Sequence, residues 1–372
     1  MASPTQSDRA SERPSAEPAR RDTKPRMSAE TRAVIALAGV GIAVLASFEE
    51  IRIYDPRILN PAPDRSQFPN SFLGISDGVW CNVIIIMAAL VGVGMFTIFY
   101  RSWRRTGRMH PGVAIYIACT TIALFDPIFN WAMFACYNPK MLHVPVDWAY
   151  FDISPTVEPL WVVPGYAFFY LTPAMLAVAL CRRWTRRQAR RGAVARRREL
   201  WVLFATGTAI GMAWDAAVES VMINMGIWQY WRYWGPALVT GPGGNSHLPI
   251  TEIVMLGVTA GICGVMMHQD DRGQSFALRL ANRFTMRSPL LARRKGLAEI
   301  MVATVLIDAF FTAYIGFYAV LRVADQESTI SGHWHFPSIK VYDPDGAAAA
   351  AGIPGPYFEG VWPLPRPDRP AQ

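Results

Sequence analysis

The sequence predicts an all-α fold: a polytopic membrane bundle of about seven transmembrane helices, with the N-terminus inside and the C-terminus outside. Three observations predict it. The chain is 52% hydrophobic and only 17% charged, against about 25% charged in an average soluble domain. Its charges gather in a few short stretches and leave apolar runs of the ~20 residues that a helix needs to cross a bilayer. Lysine and arginine also alternate in abundance from one connection to the next.

The apolar runs are, in order, Ala33–Phe48, Gly78–Tyr100, Val113–Tyr137, Pro159–Cys181, Leu200–Ile223, Pro249–Met267 and Leu297–Leu321. The first is the shortest. Glu49, Glu50 and Arg52 follow it rather than a small-residue cleavage site, which argues against a removed signal peptide. Gly207 with Gly211, and Gly257 with Gly261, place small residues four apart in the fifth and sixth runs, the spacing of closely packed helices.

The basic residues orient the bundle. The stretch up to Arg32 holds 7 Lys and Arg, and the connections 101–111, 182–199 and 268–296 hold 4, 9 and 7. The opposite side holds 3, 1 and 1 in its connections and 4 from Arg322 to the C-terminus. The excess marks the cytoplasmic face of a multi-pass protein of the cell membrane. The net charge of +8 is thus topological, and no nucleic-acid partner is expected. Membrane lipids are.

Residues 1–32 read as a disordered basic segment, 33–322 as the transmembrane domain, and 323–372 as a Pro/Gly-rich extracytoplasmic tail. That tail is either disordered or a partial lid over the outer face. Trp228, Tyr230, Trp231, Tyr233 and Trp234 crowd the outer end of the fifth run. They are expected as interfacial anchors, some lining an entrance. The cysteines, Cys81, Cys119, Cys136, Cys181 and Cys263, all lie in or beside apolar runs without regular spacing. They read as core residues rather than disulfides or a zinc site.

Carboxylates within the spans are the informative feature. A charge at the bilayer centre costs about 2.5–3.5 kcal/mol on insertion scales, so such residues turn inward and are functional by default. Asp126 lies mid-span in the third run, with Asn130 one turn on. Asp215 and Glu219 share a face of the fifth, and Asp308 is near the middle of the seventh. Glu158 and Glu252 stand at the outer starts of the fourth and sixth. Orientation places these carboxylates in one outer layer. Cations are scarce there; Arg232 is the nearest, with His143 and His247 weaker. Crowded acids in a dry layer retain protons, and a protonated acid beside an ionised one is equipment for general acid–base catalysis. The structural alternative is a set of neutral carboxyls bonding helix to helix.

Other chemistries are excluded or unsupported. Every lysine, from Lys24 through Lys140 and Lys295 to Lys340, lies outside the spans, so no retinal Schiff base can form. Clustered histidines, a P-loop and a Rossmann fingerprint are missing. His333 and His335 in the tail do not complete a metal site, and no metal is expected.

The stretch Asp126-Pro127-Ile128-Phe129-Asn130-Trp131, then Val146-Asp147-Trp148, then Pro155-Thr156-Val157-Glu158-Pro159, resembles the AveC-like spirocyclases. These are actinobacterial membrane proteins named for a spiroketal-closing enzyme of avermectin biosynthesis. The resemblance extends over roughly Ala33 to Arg322 and implies a cofactor-independent cyclase of secondary metabolism acting on an apolar, polyketide-like hydroxyketone. On that reading Asp126 and Asp215 are the first acid–base candidates, followed by Glu219, Glu158 and Asp308. Asn130, Trp131, Trp148 and Glu252 bind substrate. Two other readings compete: an acid-initiated terpenoid or carotenoid cyclase, and a proton-coupled transporter or lipid-binding membrane protein. Missing internal repeats weigh against transport.

Overall fold

Helix boundaries follow local chemistry. The computed structural model describes residues 71–138, 140–144, 150–189, 196–230, 232–240, 246–270, 272–285, 294–324, 326–330, 341–342, 350 and 357–358. All belong to one unit, Gly41–Gln372. The expected first span Ala33–Phe48, the segment 1–32, Trp148, Trp231, His333, His335 and most of the tail lie outside the described residues.

Helix α1, Asp77–Thr106, starts at Ser76, whose Oγ accepts the Val79 N–H at 3.4 Å. Asp77 stands in its first turn and Arg104 and Arg105 in its last, the order the helix dipole favours. Gly107, at φ 65°, ends it as a side chain could not without strain. Helix α2, Pro111–Thr121, opens on the proline, whose missing N–H costs nothing there. His110 caps it, Nδ1 accepting from Gly112 at 3.0 Å. A 3-10 turn, Ile122–Leu124, then leads into α3, Asp126–Met133. The remaining helices are α4 (Val162–Ala189), α5 (Arg196–Asn224), α6 (Ile250–Met267), α7 (Phe276–Thr285) and α8 (Lys295–Val323).

The fold is an all-α helical bundle. Among the described residues five helices, α1, α4, α5, α6 and α8, are long and apolar enough to cross a membrane. The third expected span is not one helix. It is the pair α2–α3, bent by 60°, and it makes a sixth crossing if the pair is one span. Pro127 is the physical reason. It lacks an N–H, and it disfavours helical geometry at the residue before it. A straight helix cannot run through it without losing a hydrogen bond, so a new helix starts there. Asp126 therefore stands at a helix start, not mid-helix as its position in the apolar run implied. The basic connection 268–296 also holds a short helix, α7, with Ala277 and Ala281 buried and Phe284 exposed.

Helix α6 sits at the centre, with 61% of its span buried against 17% for α1. It packs on α5 along the glycines expected from spacing. A Cβ on Gly211 would lie 2.8 Å from the Gly257 Cα, and one on Gly207 would lie 2.9 Å from the Gly261 Cα. Only hydrogen-sized side chains allow this approach. Helix α2 packs on α4 and α8, and α4 bridges α5 and α6.

One end of the bundle is closed by short antiparallel strand pairs. Strand β1 (Ala135–Tyr137) pairs with β2 (Trp228–Tyr230) in the register Ala135↔Tyr230 and Tyr137↔Trp228. Strands β3 (Ala237–Thr240) and β4 (Ser246–Pro249) form a second pair. Period two puts Ala135, Tyr137, Trp228 and Tyr230 on one face of the first pair. Trp228 and Tyr230 are 5% and 3% exposed, so they are buried rather than interfacial anchors. The Lys140 ammonium, 2.8 Å from Asp77 Oδ1, ties this end to the start of α1.

Candidate functional site

The break at Pro127 makes the site. It places the Asp126 carboxyl in the first turn of α3, where partial positive charge favours an anion. Asn130, four residues on, shares that face. Its Nδ2 donates to Asp126 Oδ2 at 2.9 Å and to Glu158 Oε1 at 2.8 Å. From α4, the Tyr166 hydroxyl donates to the other Asp126 oxygen. Asp126 and Asn130 are fully buried and Glu158 is 5% exposed.

Glu158 is carried by the irregular segment before α4. That segment is fixed by backbone bonds: Val144 N–H to Glu158 O at 2.9 Å, and Leu160 N–H to Leu142 O at 3.0 Å. The Thr156 hydroxyl adds a bond to the Tyr137 carbonyl at 2.8 Å. Asn130 thus links the carboxyls of Glu158 and Asp126 through its two N–H groups. Burial, then the neighbouring Asp126 charge, pushes the Glu158 carboxyl well above the usual carboxylate range.

A second set of acids lies on α5 and α6. Asp215 and Glu219 share one face of α5, and Glu252 is in the first turn of α6. Glu219 and Glu252 are 6% and 4% exposed, and Asp215 is fully buried. The Tyr230 hydroxyl donates to Glu219 Oε2 at 3.3 Å. Among the described residues neither oxygen of Asp215 has a hydrogen-bond partner, nor has Glu252 Oε2. The three acids lie within electrostatic range of one another, and Glu252 also senses Asp126.

Between the two sets lies a narrow cavity of about 40 Å³. Its polar wall includes Asn130, Tyr137, Tyr166, Glu219, Tyr230 and Glu252, and its apolar wall includes Trp161, Phe169 and Trp228. Trp161 and Trp228 stack with centroids 5.6 Å apart. Aromatic faces beside carboxyls stabilise a cation in a dry space. This volume is far below the ~300–1,000 Å³ of pockets that hold drug-sized ligands. A larger molecule must spread the walls.

The structure brings together Asp126, Asn130, Glu158, Asp215, Glu219 and Glu252. It leaves two expected site residues apart. Asp308 is half-buried on α8, where the Thr121 hydroxyl donates to both its oxygens at 3.0 and 3.1 Å. Trp131 does not line the cavity; it lies beneath the Arg322 guanidinium, 4.6 Å from its ring centre. Glu158 and Glu252, at the starts of their spans, are both buried.

Sequence reasoning passed over Tyr137 and Tyr166, which carry hydroxyls at the depth of the carboxylates. It also passed over Arg322, a lone cation ending the last apolar run. Arg322 is 3% exposed, donates to the Trp131 carbonyl and sits 4.3 Å from the Phe134 ring centre. It therefore caps the C-terminal end of α3, opposite Asp126, where the dipole favours a cation. Arg232 is also buried and approaches the same Phe134 ring at 5.9 Å. Among the described residues, no group of three His, Cys, Asp or Glu side chains is placed to hold a metal ion.

Residues 103–342 match a family model described as spirocyclase AveC-like. No curated protein and no solved structure matches the chain.

Proposed function

Because this chain belongs to the AveC-like spirocyclase family, we propose that it is a membrane-embedded, cofactor-independent cyclase that closes a spiroketal on an apolar, polyketide-like hydroxyketone. The observation that carries the reading is the hydrogen-bonded set Asp126–Asn130–Glu158, with Tyr166 behind it. Closing a dihydroxyketone to a spiroketal releases one water and changes no oxidation level. Acids and bases therefore suffice.

The two carboxyls divide the work by their surroundings. Asp126 accepts from Asn130 and Tyr166, which favours the carboxylate there. Glu158, raised by burial and by Asp126, keeps the shared proton. One substrate hydroxyl first adds to the ketone to give a hemiketal. Glu158 then protonates the hemiketal hydroxyl, the C–O bond breaks and water leaves. The oxocarbenium is stabilised by the Asp126 carboxylate and by aromatic faces. The second hydroxyl attacks the carbon and gives its proton to Asp126. That proton passes back to Glu158, which Asn130 keeps beside Asp126 in the resting site, and the cycle closes. Asn130 holds both carboxyls in register before the substrate arrives.

The test uses the full chain in membranes, with no ion gradient, and a synthetic open-chain dihydroxyketone. Stereoselective spiroketal formation, lost in Asp126→Asn, is expected. Normal turnover in Asp126→Asn would remove the assignment of Asp126. Gradient-dependent uptake without chemical change would replace catalysis by transport.

A further inference from the structure

Two spaces lie near Glu158. On one side its partner Asn130 lines the narrow cavity. On the other, Glu158 itself lines a groove of about 290 Å³. The groove runs between the break in the α2–α3 pair and the start of α4. Its remaining wall is nearly all apolar, and includes Leu124, Phe151, Leu160 and Val163. Val162 lines both spaces. The Asn130–Glu158 bond and the Val162 side chain thus stand between the groove and the cavity.

Three rim residues face outward: Leu124 is 61% exposed, Leu160 46% and Val163 47%. Leu160 and Val163 lie at the start of α4, which is long and apolar enough to cross a membrane, and Leu124 lies at the bend of the α2–α3 pair, which passes the same test as one span, so in a bilayer this mouth meets acyl chains. The break accounts for the opening. A continuous helix would carry α2 onward past Leu124, whereas the 60° bend turns the chain aside. The Leu124 carbonyl at the bend accepts from the Tyr150 hydroxyl. Polar backbone at that depth is thereby satisfied, as a bilayer requires.

We propose that this groove is a lateral substrate entrance, binding an amphiphile by its apolar chain and offering its hydroxyl or ketone end to Glu158. The occupant follows from the wall. An apolar trough with one acid at its floor fits a long aliphatic molecule that carries oxygen at one end. Such a molecule partitions into the bilayer and reaches the acid without crossing water. Its polar end displaces Asn130 from Glu158 and enters the aromatic cavity, which explains how so small a cavity admits a substrate. The inference rests on the cyclase reading for the identity of the oxygen-bearing end. The entrance itself rests on the groove.

The experiment separates the two. The full chain in lipid nanodiscs is irradiated with a diazirine-bearing long-chain hydroxyketone, and labelled residues are mapped by mass spectrometry. Labelling is expected to concentrate at Leu124, Leu160 and Val163. Leu160→Trp and Val163→Trp fill the mouth from exposed positions and are each expected to lower it at least tenfold. Leu176→Trp, on an exposed face of α4 elsewhere, leaves it unchanged. In the ring-closure assay the two plugging variants lower kcat/KM at least tenfold, with the larger share in KM. Unchanged labelling in both plugging variants, or labelling spread evenly over exposed apolar helices, overturns the entrance. Spiroketal formation at the normal rate in both also overturns it while leaving the cyclase standing. Groove-specific labelling without any ring closure keeps the entrance and sinks the cyclase.

Discussion

The two carboxylate sets flank one cavity but are built in opposite ways. Asp126, Asn130 and Glu158 sit on a broken span and an irregular segment, and hydrogen bonds join them to one another. Asp215, Glu219 and Glu252 sit on two straight helices packed glycine to glycine, and among the described residues Asp215 has no hydrogen-bond partner. The first set is held by polar bonds, the second by helix packing. Hydrogen bonds fix the direction of a carboxyl, whereas packing alone fixes only its position. The comparison teaches that the first set is the one already oriented for the proposed proton transfer, while the second is buried without such orientation.

Substitutions test this difference. Asp126→Asn carries the largest expected effect, a loss of about 10³-fold in kcat/KM, within the range for removing a general acid or base. Glu158→Gln follows at about 10²-fold and also changes the pH profile. The raised Glu158 carboxyl holds its proton beyond the ordinary glutamate range near 4.3. As pH rises through that raised value the acid is lost, so kcat/KM falls on the alkaline side. Glu158→Gln abolishes that limb. Stability has the same sign. The folded chain keeps a proton that the unfolded chain releases, so this contribution is full below the unfolded pKa and lost as pH rises through the folded one.

Gly257→Leu addresses the second set through its packing. Its side chain would enter space held by Met212 Cγ and the Thr208 carbonyl, 2.4 and 2.7 Å from an added Cβ. Overpacking of this kind costs about 1–3 kcal/mol, read as a lower Tm in detergent. Tyr166→Phe removes one bond to Asp126 and is expected to cost about tenfold in kcat, roughly one charge-assisted hydrogen bond. Glu219→Gln has the smallest expected effect, a few-fold. A double-mutant cycle sharpens the contrast. Asp126 and Glu158 are expected to be strongly non-additive, and Asp126 and Glu219 nearly additive. Equal coupling in both pairs would erase the distinction.

Much of this was legible in the chain. The five long helices follow from apolar length alone, and the α5–α6 seam follows from glycines four apart. The acids at 126, 158, 215, 219 and 252 were placed in one layer by depth. Asp308 shows the limit of that argument. Depth fixes height along the bundle but not rotation about the helix, and Asp308 is turned toward Thr121. The span break was written in Asp126-Pro127, yet hydropathy averages across such a dipeptide and reports one segment. Tyr166 and Tyr230 look like ordinary aromatic residues of apolar runs, because a hydroxyl's partner is set by tertiary packing. Arg322 sits at a span end, where an arginine normally reaches for water; only the fold reveals that it turns inward.

Arg322 also carries a consequence for biogenesis. The eight-residue helix that bears Asp126 is anchored at its far end by a side chain almost two hundred residues later in the chain. A ribosome feeding the membrane-insertion machinery delivers α3 long before α8. Until α8 is in place, the proposed acid helix is unclamped and its carboxyl is unaligned. Catalytic competence would then be a terminal event of synthesis, and nascent chains stalled before residue 322 would be inert, sparing the membrane an unfinished acid site.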